Sequence, residues 1–325
     1  MTEQAHVSLV NGAGEAQRRV LLLGTRASKL ALAQSEIVRT ALLNMQPDLE
    51  VRFETITTKG DVVQDRPLSE IGGNGLFVTQ IEEALRASRI DLAVHSAKDL
   101  SSILPPDMAL AAFLPRADPR DVLVSREGHT LMSLPPDAVL GTSSPRRTCQ
   151  ALAVRPDLRL RDIRGNVDTR LRKLHAGEYD AIVLAAAGLA RLGALDRVTE
   201  WLDPDVMLPA VAQGALAVEV RAADSFMRDL ISRLDDPATS TAVRAERAFL
   251  AAIGGGCSLP IGAYATLQGN DLHLRGMIGS PDGRMVKGEC IGHTREPETV
   301  GAALAADLLS RGGRELIAES EALAL

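Results

Sequence analysis

Apolar, strand-like segments alternate with amphipathic, helix-like segments along this chain, and this alternation restricts the fold more than any other feature. The runs "RRVLLLG", "IDLAVHS" and "MALAAFL" have the length and composition of buried strands. Between the first two, Ser28 can cap a helix that ends near Met45. Buried strands separated by helices form parallel sheets with helices on their faces. The alternation therefore predicts an α/β protein.

The same order of elements recurs later in the chain. "AVLGTSSPRR" repeats the strand, Gly-Thr turn and helix start of "VLLLGTRAS", with Ser144 as the predicted cap. "GEYDAIVLAAAGLA" likewise repeats "SRIDLAVHSAKDL". All strand–helix–strand units look alike, but these shared details favour two similar, hinged α/β domains. We expect mainly parallel sheets and an arrangement like that of periplasmic binding proteins.

A smaller α+β domain is predicted at the C-terminal end. An amphipathic helix, "ATSTAVRAERAFLAAI", precedes three short strands joined by "GN" and "PDG" turns, and another helix follows them. The strand in "VAQGALAVEVR" is expected to return the chain to the first domain. The predicted organisation is a disordered leader over 1–19, a first domain over 20–115 and 215–235, a second over 116–214, and a third over 236–325.

Composition and charge argue against several classes of function. The chain has 36 Lys and Arg against 42 Asp and Glu, which is unlike a general nucleic-acid binder. The longest apolar run, residues 181–190, is too short to span a bilayer, and residues 1–19 have no apolar core of signal-peptide length. The three cysteines are far apart, which does not suggest a disulfide framework. We therefore expect a soluble, cytoplasmic protein without membrane or nucleic-acid partners.

Arginines collect at the turns that follow predicted strands. Arg146 and Arg147 fall in the first turn of a helix, where their charge opposes the helix dipole and does not stabilise the helix. Guanidinium forks bind carboxylate and phosphate groups. Any one of these arginines could be a solvated surface residue, but their shared position at the carboxyl ends of strands favours a polyanion site. The arginines are Arg26, Arg146, Arg147, Arg164, Arg170 and Arg191.

The segment "HSAKD" places His95, Lys98 and Asp99 at the end of a predicted strand. A polar loop with a Lys–Asp pair would explain it. Among so many cations, however, Asp99 is the nearby acid that could stabilise a developing positive charge or move a proton. We interpret Lys98 as an anion ligand, because nothing local indicates the dry pocket that a Schiff-base lysine needs.

Cys257 lies in "GGGCSLPIG", where three glycines clear side chains from the approach to the thiol. A metal site would need further Cys or His at short spacing, and none is close in sequence. A buried, inert cysteine and a Cys–His hydrolase nucleophile remain as alternatives. The glycines suit a thiol that carries a large group.

Ten motifs occur in a fixed order after residue 19. They are "LGTRASKLALAQ", "TKGD", "GGNGLFV", "DLAVHSAKDL", "DPRDVLVS", "GTSSPRR", "RGNVDTRL", "YDAIVLAAAGLARLG", "LPAVAQGALAVE" and "GGGCSLPIGAYA". Each motif alone is modest, but the ordered set is highly specific. It resembles the hydroxymethylbilane synthase family, whose members are also called porphobilinogen deaminases.

The resemblance implies a transferase. Members join four porphobilinogen molecules head to tail, release ammonia at each step, and free hydroxymethylbilane by hydrolysis. They carry a dipyrromethane cofactor that is held by a thioether to a cysteine, which matches Cys257 here. Porphobilinogen carries acetate and propionate side chains, so the growing chain is a polycarboxylate that guanidinium forks can bind. The resemblance implies no metal, and members are usually monomeric.

The resemblance also implies roles for individual residues. Asp99 matches the catalytic aspartate, which accepts hydrogen bonds from pyrrole N–H groups and stabilises the cation formed there. The implied cofactor ligands are Cys257, Lys98, Ser28, Ser144, Arg146, Arg147, Arg170 and Arg191. The implied substrate ligands are Arg26, Gln34, Ser143, Arg164 and Arg170.

Some positions depart from the family pattern. Glu70 and Asn74 stand where members often carry lysines, which weakens a charge-binding role for their loop. Gly254 replaces a common glutamate, and Lys29 replaces a common proline. The competing hypothesis is a two-lobed, anion-binding solute-binding protein without catalysis, which predicts an export signal and gives Cys257 no role.

Overall fold

Residues 19–58, 78–254 and 259–322 are described by the computed structural model, and they form two five-stranded sheets and one three-stranded sheet. The strands are β1 (Arg19–Thr25), β2 (Leu49–Thr55), β3 (Leu92–Ser96), β4 (Met108–Phe113), β5 (Asp121–Ser125), β6 (Val139–Gly141), β7 (Arg159–Arg161), β8 (Ala181–Ala185), β9 (Glu200–Trp201), β10 (Leu216–Arg221), β11 (Ile261–Gln268), β12 (Asp271–Gly279) and β13 (Met285–His293). The α-helices are α1 (Lys29–Met45), α2 (Thr79–Arg86), α3 (Pro145–Val154), α4 (Val167–His175), α5 (Ala186–Arg191), α6 (Ser225–Ser232), α7 (Pro237–Ile253), α8 (Pro297–Leu308) and α9 (Arg314–Ala322).

The first lobe is built on the sheet β2-β1-β3-β10-β4. Strand β1 runs parallel to β2 and β3, whereas β10 runs antiparallel to β3 and β4. Helices α1 and α6 pack on one face through side chains such as Leu42 and Ile231. Helix α2 packs on the other face through Ile81 and Leu85. Helices therefore cover both faces of the sheet. Each of these buried side chains contributes about 1.5–3 kcal/mol of hydrophobic stabilisation.

The second lobe repeats this arrangement in the order β7-β6-β8-β5-β9. Strand β6 runs parallel to β7 and β8, and β5 runs antiparallel to β8 and β9. The parallel half of each sheet is the part that the strand–helix alternation predicts, and the prediction of two similar α/β lobes is confirmed. The antiparallel strands β5 and β10 each follow a connection between the lobes.

The C-terminal domain is a small antiparallel sheet, β11-β12-β13, covered by α7 and α8. Phe249 of α7 is fully buried in its core. This confirms the predicted α+β domain. The additional helix α9 follows a kink at Gly312, whose φ of 105° is in the region that favours glycine.

Two crossover segments, residues 114–120 and 202–215, connect the lobes, and Glu246 of α7 binds both of them. The Glu246 side chain is fully buried. Its carboxylate accepts hydrogen bonds from Nη1 and Nη2 of Arg116 at 2.6 and 3.1 Å, and from the backbone N–H of Ala212 at 2.6 Å. It also accepts one from the N–H of Ala265 in β11 at 2.8 Å. The C-terminal domain is therefore bonded to both crossovers.

Local signals explain several helix ends. The Ser28 hydroxyl caps α1 as predicted, accepting a hydrogen bond from the N–H of Ala31 at 3.2 Å. Ser144 occupies the N-cap position of α3, but in the described structure its side chain makes no capping hydrogen bond. Helix α7 ends at Gly254, which has the left-handed φ of 75° that glycine adopts without strain. This geometry is a structural reason for glycine in place of the common glutamate.

Some of the predictions fall outside the described residues. These are the leader up to residue 18, Glu70, Asn74 and Cys257, whereas Arg19 begins β1. Within the described ranges, no helix combines the length and the apolar character that crossing a bilayer requires.

Candidate active site

The residues predicted to bind anions lie where strands of the two lobes end. Arg26 directly follows β1, and Lys98 and Asp99 lie in a short 3-10 turn after β3. In the second lobe, α3 follows β6, Arg164 follows β7, and Arg191 ends the helix after β8. Ligands of open α/β sheets bind at the carboxyl ends of strands. Five of these charged residues interact electrostatically with one another, with Arg170 of α4 or with Asp121, which begins β5. We call the seven residues the cationic cluster: Lys98, Asp99, Asp121, Arg146, Arg147, Arg164 and Arg170.

Asp121 is the buried acid at the centre of the cluster. Its Oδ2 accepts a hydrogen bond from Nη1 of Arg146 at 2.7 Å, and its Oδ1 accepts from Nε and Nη2 of Arg147 at 3.2 and 2.7 Å. Burial would raise the pKa of Asp121, but the two guanidiniums hold it well below its usual range. The carboxylate thus explains why two arginines are tolerated in the first turn of α3.

Arg146 and Arg147 are 4% and 7% exposed, so they lie beneath the surface of the site. Nη1 of Arg146 also donates to the carbonyl of Leu208 at 2.6 Å, and Nη1 of Arg147 donates to the carbonyl of Val183 at 2.9 Å. These bonds fix both guanidiniums. The pair therefore supplies positive charge from fixed positions.

Lys98 extends from the first lobe toward the second. Its Nζ donates to Oε1 of Gln213 at 3.2 Å. Burial, together with repulsion from Arg147 and Arg146, lowers the pKa of Lys98 to about 8, against the attraction of Asp99 and Asp121. The ammonium is therefore a cation whose charge a bound carboxylate would stabilise.

Arg170 and Arg191 are half-buried arginines in the second lobe. Nε of Arg170 donates to the carbonyl of Gly165 at 2.9 Å, and Nη2 of Arg191 donates to the carbonyl of Gly214 at 2.7 Å. Burial lowers the pKa of Arg170 to about 10, with repulsion from Arg147 and Arg164 adding to the effect. Burial also lowers the pKa of Arg191 to about 10. Both stay charged at neutral pH in places that favour an anion partner.

Three further predicted polar ligands make defined contacts within their own lobes. In the first lobe, Gln34 is 5% exposed, and its Nε2 donates to Oγ of Ser96 at 2.8 Å. In the second, the Ser143 hydroxyl donates to the carbonyl of Ile163 and accepts from its N–H, both at 3.0 Å. The N–H of Ser144 donates to Oγ1 of Thr142 at 3.2 Å. Ser143 therefore joins the end of β6 to the segment that precedes Arg164.

Asp99 is exposed at the end of the 3-10 turn, and its charge acts on both Lys98 and Arg170. It is thus the accessible carboxylate of the cluster, whereas Asp121 is enclosed. His95 does not join the cluster, because its Nε2 lies 2.9 Å from Oε2 of the buried Glu219 on β10. The structure therefore separates His95 from Lys98 and Asp99, which the sequence groups together.

Sequence reasoning missed two residues of the site, Asp121 and Gln213. Both stand in motifs that carry the family resemblance, "DPRD" and "VAQGA", but only the sheet order brings them next to the arginines. Lys29, noted as a departure, contacts Oδ2 of Asp168 at 2.8 Å and so joins α1 of the first lobe to α4 of the second. Both side chains of this pair are exposed, so it contributes little to stability.

Asp121→Asn should destabilise the folded protein by about 3–5 kcal/mol, because it leaves buried guanidiniums without their counter-charge. Since the pKa of Asp121 is depressed, its contribution is present above the unfolded pKa of about 4 and is lost as pH falls below it. Thermal unfolding at several pH values measures the effect. The matched control is Asp137→Asn, which alters an exposed pair with Arg159 and should change the midpoint little. Equal midpoints for the two variants would contradict the assignment.

The donor set fits a polycarboxylate such as dipyrromethane with its acetate and propionate groups. Five cations of the cluster face two carboxylates in a partly desolvated site, so positive charge is in excess. Gly262, five residues after Cys257, packs against Arg146, where an added Cβ would lie 3.2 Å from Cδ of that arginine. Strand β11, which begins four residues after Cys257 in the sequence, therefore contacts the cluster at Arg146.

Comparisons with known proteins agree with this chemistry. The family described as "Porphobilinogen deaminase, dipyromethane cofactor binding domain" matches residues 21–229, and "Porphobilinogen deaminase, C-terminal domain" matches residues 240–310. The porphobilinogen deaminase of Roseiflexus sp. (strain RS-1) is 60% identical over 93% of this chain and 99% of its own length. That of Carboxydothermus hydrogenoformans is 46% identical over 93% of this chain and 97% of its own.

Among solved structures, a periplasmic binding protein of Salmonella typhimurium aligns with a TM-score of 0.36 and 15% identity, over 68% of this chain and 94% of that one. The family matches cover most of the sequence and include both lobes and the C-terminal domain. The chain belongs to the porphobilinogen deaminase family.

Proposed function

We propose that the cationic cluster and its neighbours carry out the reaction of this family, with each residue in a defined role. As a member of the family, the chain is a transferase of porphyrin biosynthesis. It joins four porphobilinogen molecules on a dipyrromethane cofactor, releases ammonia, and frees hydroxymethylbilane. The observation that carries the proposed roles is the excess of positive charge at the carboxyl ends of the strands, in contact with the C-terminal domain.

The cofactor is proposed to be held covalently at its thioether and ionically at its carboxylates. When bound, dipyrromethane supplies the terminal pyrrole to which the first porphobilinogen is joined. Cys257 provides the sulfur, and the partly buried cations offer fixed donors to the acetate and propionate groups. The proposed cofactor ligands are Cys257, Lys98, Ser28, Ser144, Arg146, Arg147, Arg170 and Arg191.

The incoming porphobilinogen is proposed to bind on the side of the cluster that both lobes reach. Arg26 follows β1 of the first lobe, and Arg164 follows β7 of the second, so carboxylates of one substrate molecule can be held from both sides. The Gln34 amide donates a hydrogen bond to Ser96, and the Ser143 hydroxyl orients the Arg164 segment by accepting one from the N–H of Ile163. The proposed substrate ligands are Arg26, Gln34, Ser143, Arg164 and Arg170.

Asp99 is proposed as the catalytic residue. Loss of ammonia from porphobilinogen breaks a carbon–nitrogen bond and leaves an electron-poor methylene pyrrole. A carboxylate beside the pyrrole N–H accepts its hydrogen bond and stabilises the positive charge. Asp99 suits this role because it is exposed at the end of its turn, whereas Asp121 is committed to two arginines.

The lobes and the C-terminal domain are proposed to act as separate units. We assign residues 20–115 and 215–235 to the first, 116–214 to the second, and 236–325 to the third. Rotation about the crossovers would give the growing chain room. We further propose a cytoplasmic, monomeric enzyme without nucleic-acid partners.

Porphobilinogen supplied to the purified protein should be consumed with release of one ammonia per molecule, and hydroxymethylbilane should accumulate. A protein that only binds anions would retain porphobilinogen without releasing ammonia.

Arg170→Gln should raise KM at least about tenfold, because a partly desolvated, charge-assisted contact is lost. Arg172→Gln, on the exposed side of the same helix, is the control and should leave KM unchanged. Equal KM values for the two variants would remove Arg170 from the site.

A further inference from the structure

Gln213 connects the two lobes inside the cationic cluster. Its side chain is 1% exposed. Its Oε1 accepts a hydrogen bond from Nζ of Lys98 at 3.2 Å, and its Nε2 donates to Oδ1 of Asp121 at 2.9 Å and to the carbonyl of Pro119 at 2.7 Å. Lys98 follows β3 of the first lobe, and Asp121 begins β5 of the second. One amide group therefore bridges a cation of one lobe and the central carboxylate of the other.

The chemistry of its neighbours allows only one orientation of this amide. An ammonium group can only donate hydrogen bonds, whereas an ionised carboxylate and a backbone carbonyl can only accept them. A flipped amide would face donor with donor at Lys98 and acceptor with acceptor at Asp121. The position of the Lys98 ammonium is thereby tied to that of Asp121.

The backbone around Gln213 is held as firmly as its side chain. Ala212 has a φ of 60°, which is uncommon for a residue with a side chain, and its N–H is bound by Glu246. The Gln213 carbonyl accepts a hydrogen bond from Nε of Arg116 at 2.9 Å. Gly214 has a φ of 91° and passes so close to the carbonyl of Ala117 that no Cβ could be accommodated there. Backbone strain that the surroundings enforce in this way is concentrated at functional sites.

We propose that Gln213 is a positioning residue that holds Lys98 in its anion-binding place by linking it to Asp121 across the two lobes. The inference rests on the proposed function for the identity of the anion, which is a carboxylate of the cofactor or the substrate. The bridge itself rests on the three hydrogen bonds of the Gln213 amide.

Two variants of nearly the same size test the bridge in opposite directions. Gln213→Leu removes the acceptor from the Lys98 ammonium, which still faces Arg146 and Arg147, so the pKa of Lys98 should fall. Gln213→Glu places a carboxylate beside the ammonium, in addition to Asp99 and Asp121, so the pKa of Lys98 should rise. A shift of about one pH unit is expected in each direction. Reductive methylation of the holoenzyme across a pH series, read by peptide mass spectrometry, measures the pKa of Lys98 without reference to turnover.

Turnover supplies the second readout. In Gln213→Leu we expect kcat/KM to fall about 10- to 100-fold, mainly through KM, because Lys98 and Asp121 each lose a buried partner. The alkaline limb of the pH profile should move to lower pH in Gln213→Leu and to higher pH in Gln213→Glu. A residue that merely filled space would not give opposite displacements. Gln213→Asn, which keeps the amide on a shorter side chain, should recover part of the activity.

Gln150→Leu is the matched control. Gln150 is also fully buried, but its amide bonds the backbone of Leu208 and the backbone carbonyl of Arg146 and does not contact Lys98. This variant should lose stability while the pKa of Lys98 stays unchanged. The proposal is overturned if Gln213→Leu and Gln213→Glu leave that pKa at its parent value, or if the pKa moves while kcat/KM does not. Absence of turnover in the parent protein would instead contradict the proposed function, and the labelling would still decide the bridge.

Discussion

Asp99→Ala should lower kcat about 100- to 1,000-fold while KM changes little. The exposed carboxylate interacts with Lys98 and Arg170, and alanine removes the negative charge that faces the developing cation. Because the loss concerns a charge that forms only during the reaction, binding of porphobilinogen should persist. Steady-state kinetics with ammonia detection measures the split between kcat and KM.

Two further observations make this result specific. The intact mass of Asp99→Ala should still include the cofactor, which would separate a catalytic defect from a failure to assemble the site. Asp107→Ala removes an exposed carboxylate of the same lobe that pairs with Arg86, and it should turn over normally. Near-normal turnover of Asp99→Ala would exclude Asp99 from catalysis.

Cys257→Ala should abolish both the cofactor and the activity. The protein produced in cells that make porphobilinogen should exceed its sequence mass by two deaminated pyrrole units, whereas the variant should match its sequence mass. An aldehyde reagent for pyrroles should colour the former and not the latter. Both signals should be lost because no thioether can form without the sulfur, and the cations alone can bind the cofactor only reversibly.

Cys290→Ala is the control for this experiment. Cys290 lies half-buried in β13 of the same domain, and burial raises the pKa of its thiol, which makes it a poorer nucleophile. The added mass and the colour should both remain in this variant. A parent protein that shows neither added mass nor colour would contradict the covalent attachment to Cys257.

The sequence predicts the parallel half of each lobe because the central strands β1, β3, β6 and β8 are mostly apolar and helices separate the strands. It does not predict the pairing of β5 with β8 or of β10 with β3, because antiparallel partners that are distant in sequence leave no local pattern. The small C-terminal sheet is different. Its strands are consecutive and joined by short turns, so both its existence and its order follow from the sequence.

The candidate site shows the same limit at the level of side chains. The pattern places Arg146 and Arg147 at a strand end, and the structure has them there. Their burial against Asp121 depends on β5 lying beside β8 in the second sheet, so it could not be predicted from residues 138–147 alone. Gln213 was missed for the same reason, because an isolated glutamine carries no charge signal until its three partners are assembled around it.

The double attachment of Glu246 has a mechanical consequence. A single carboxylate binds Arg116 on one crossover segment and Ala212 on the other, so it links the two segments about which we propose that the lobes rotate. Helix α7, which carries Glu246, should keep its hydrogen bonds to both crossovers during that rotation. The sulfur-bearing segment begins at the end of the same helix, one residue past Gly254. We therefore expect the two lobes to move relative to the C-terminal end of α7 as the product chain grows.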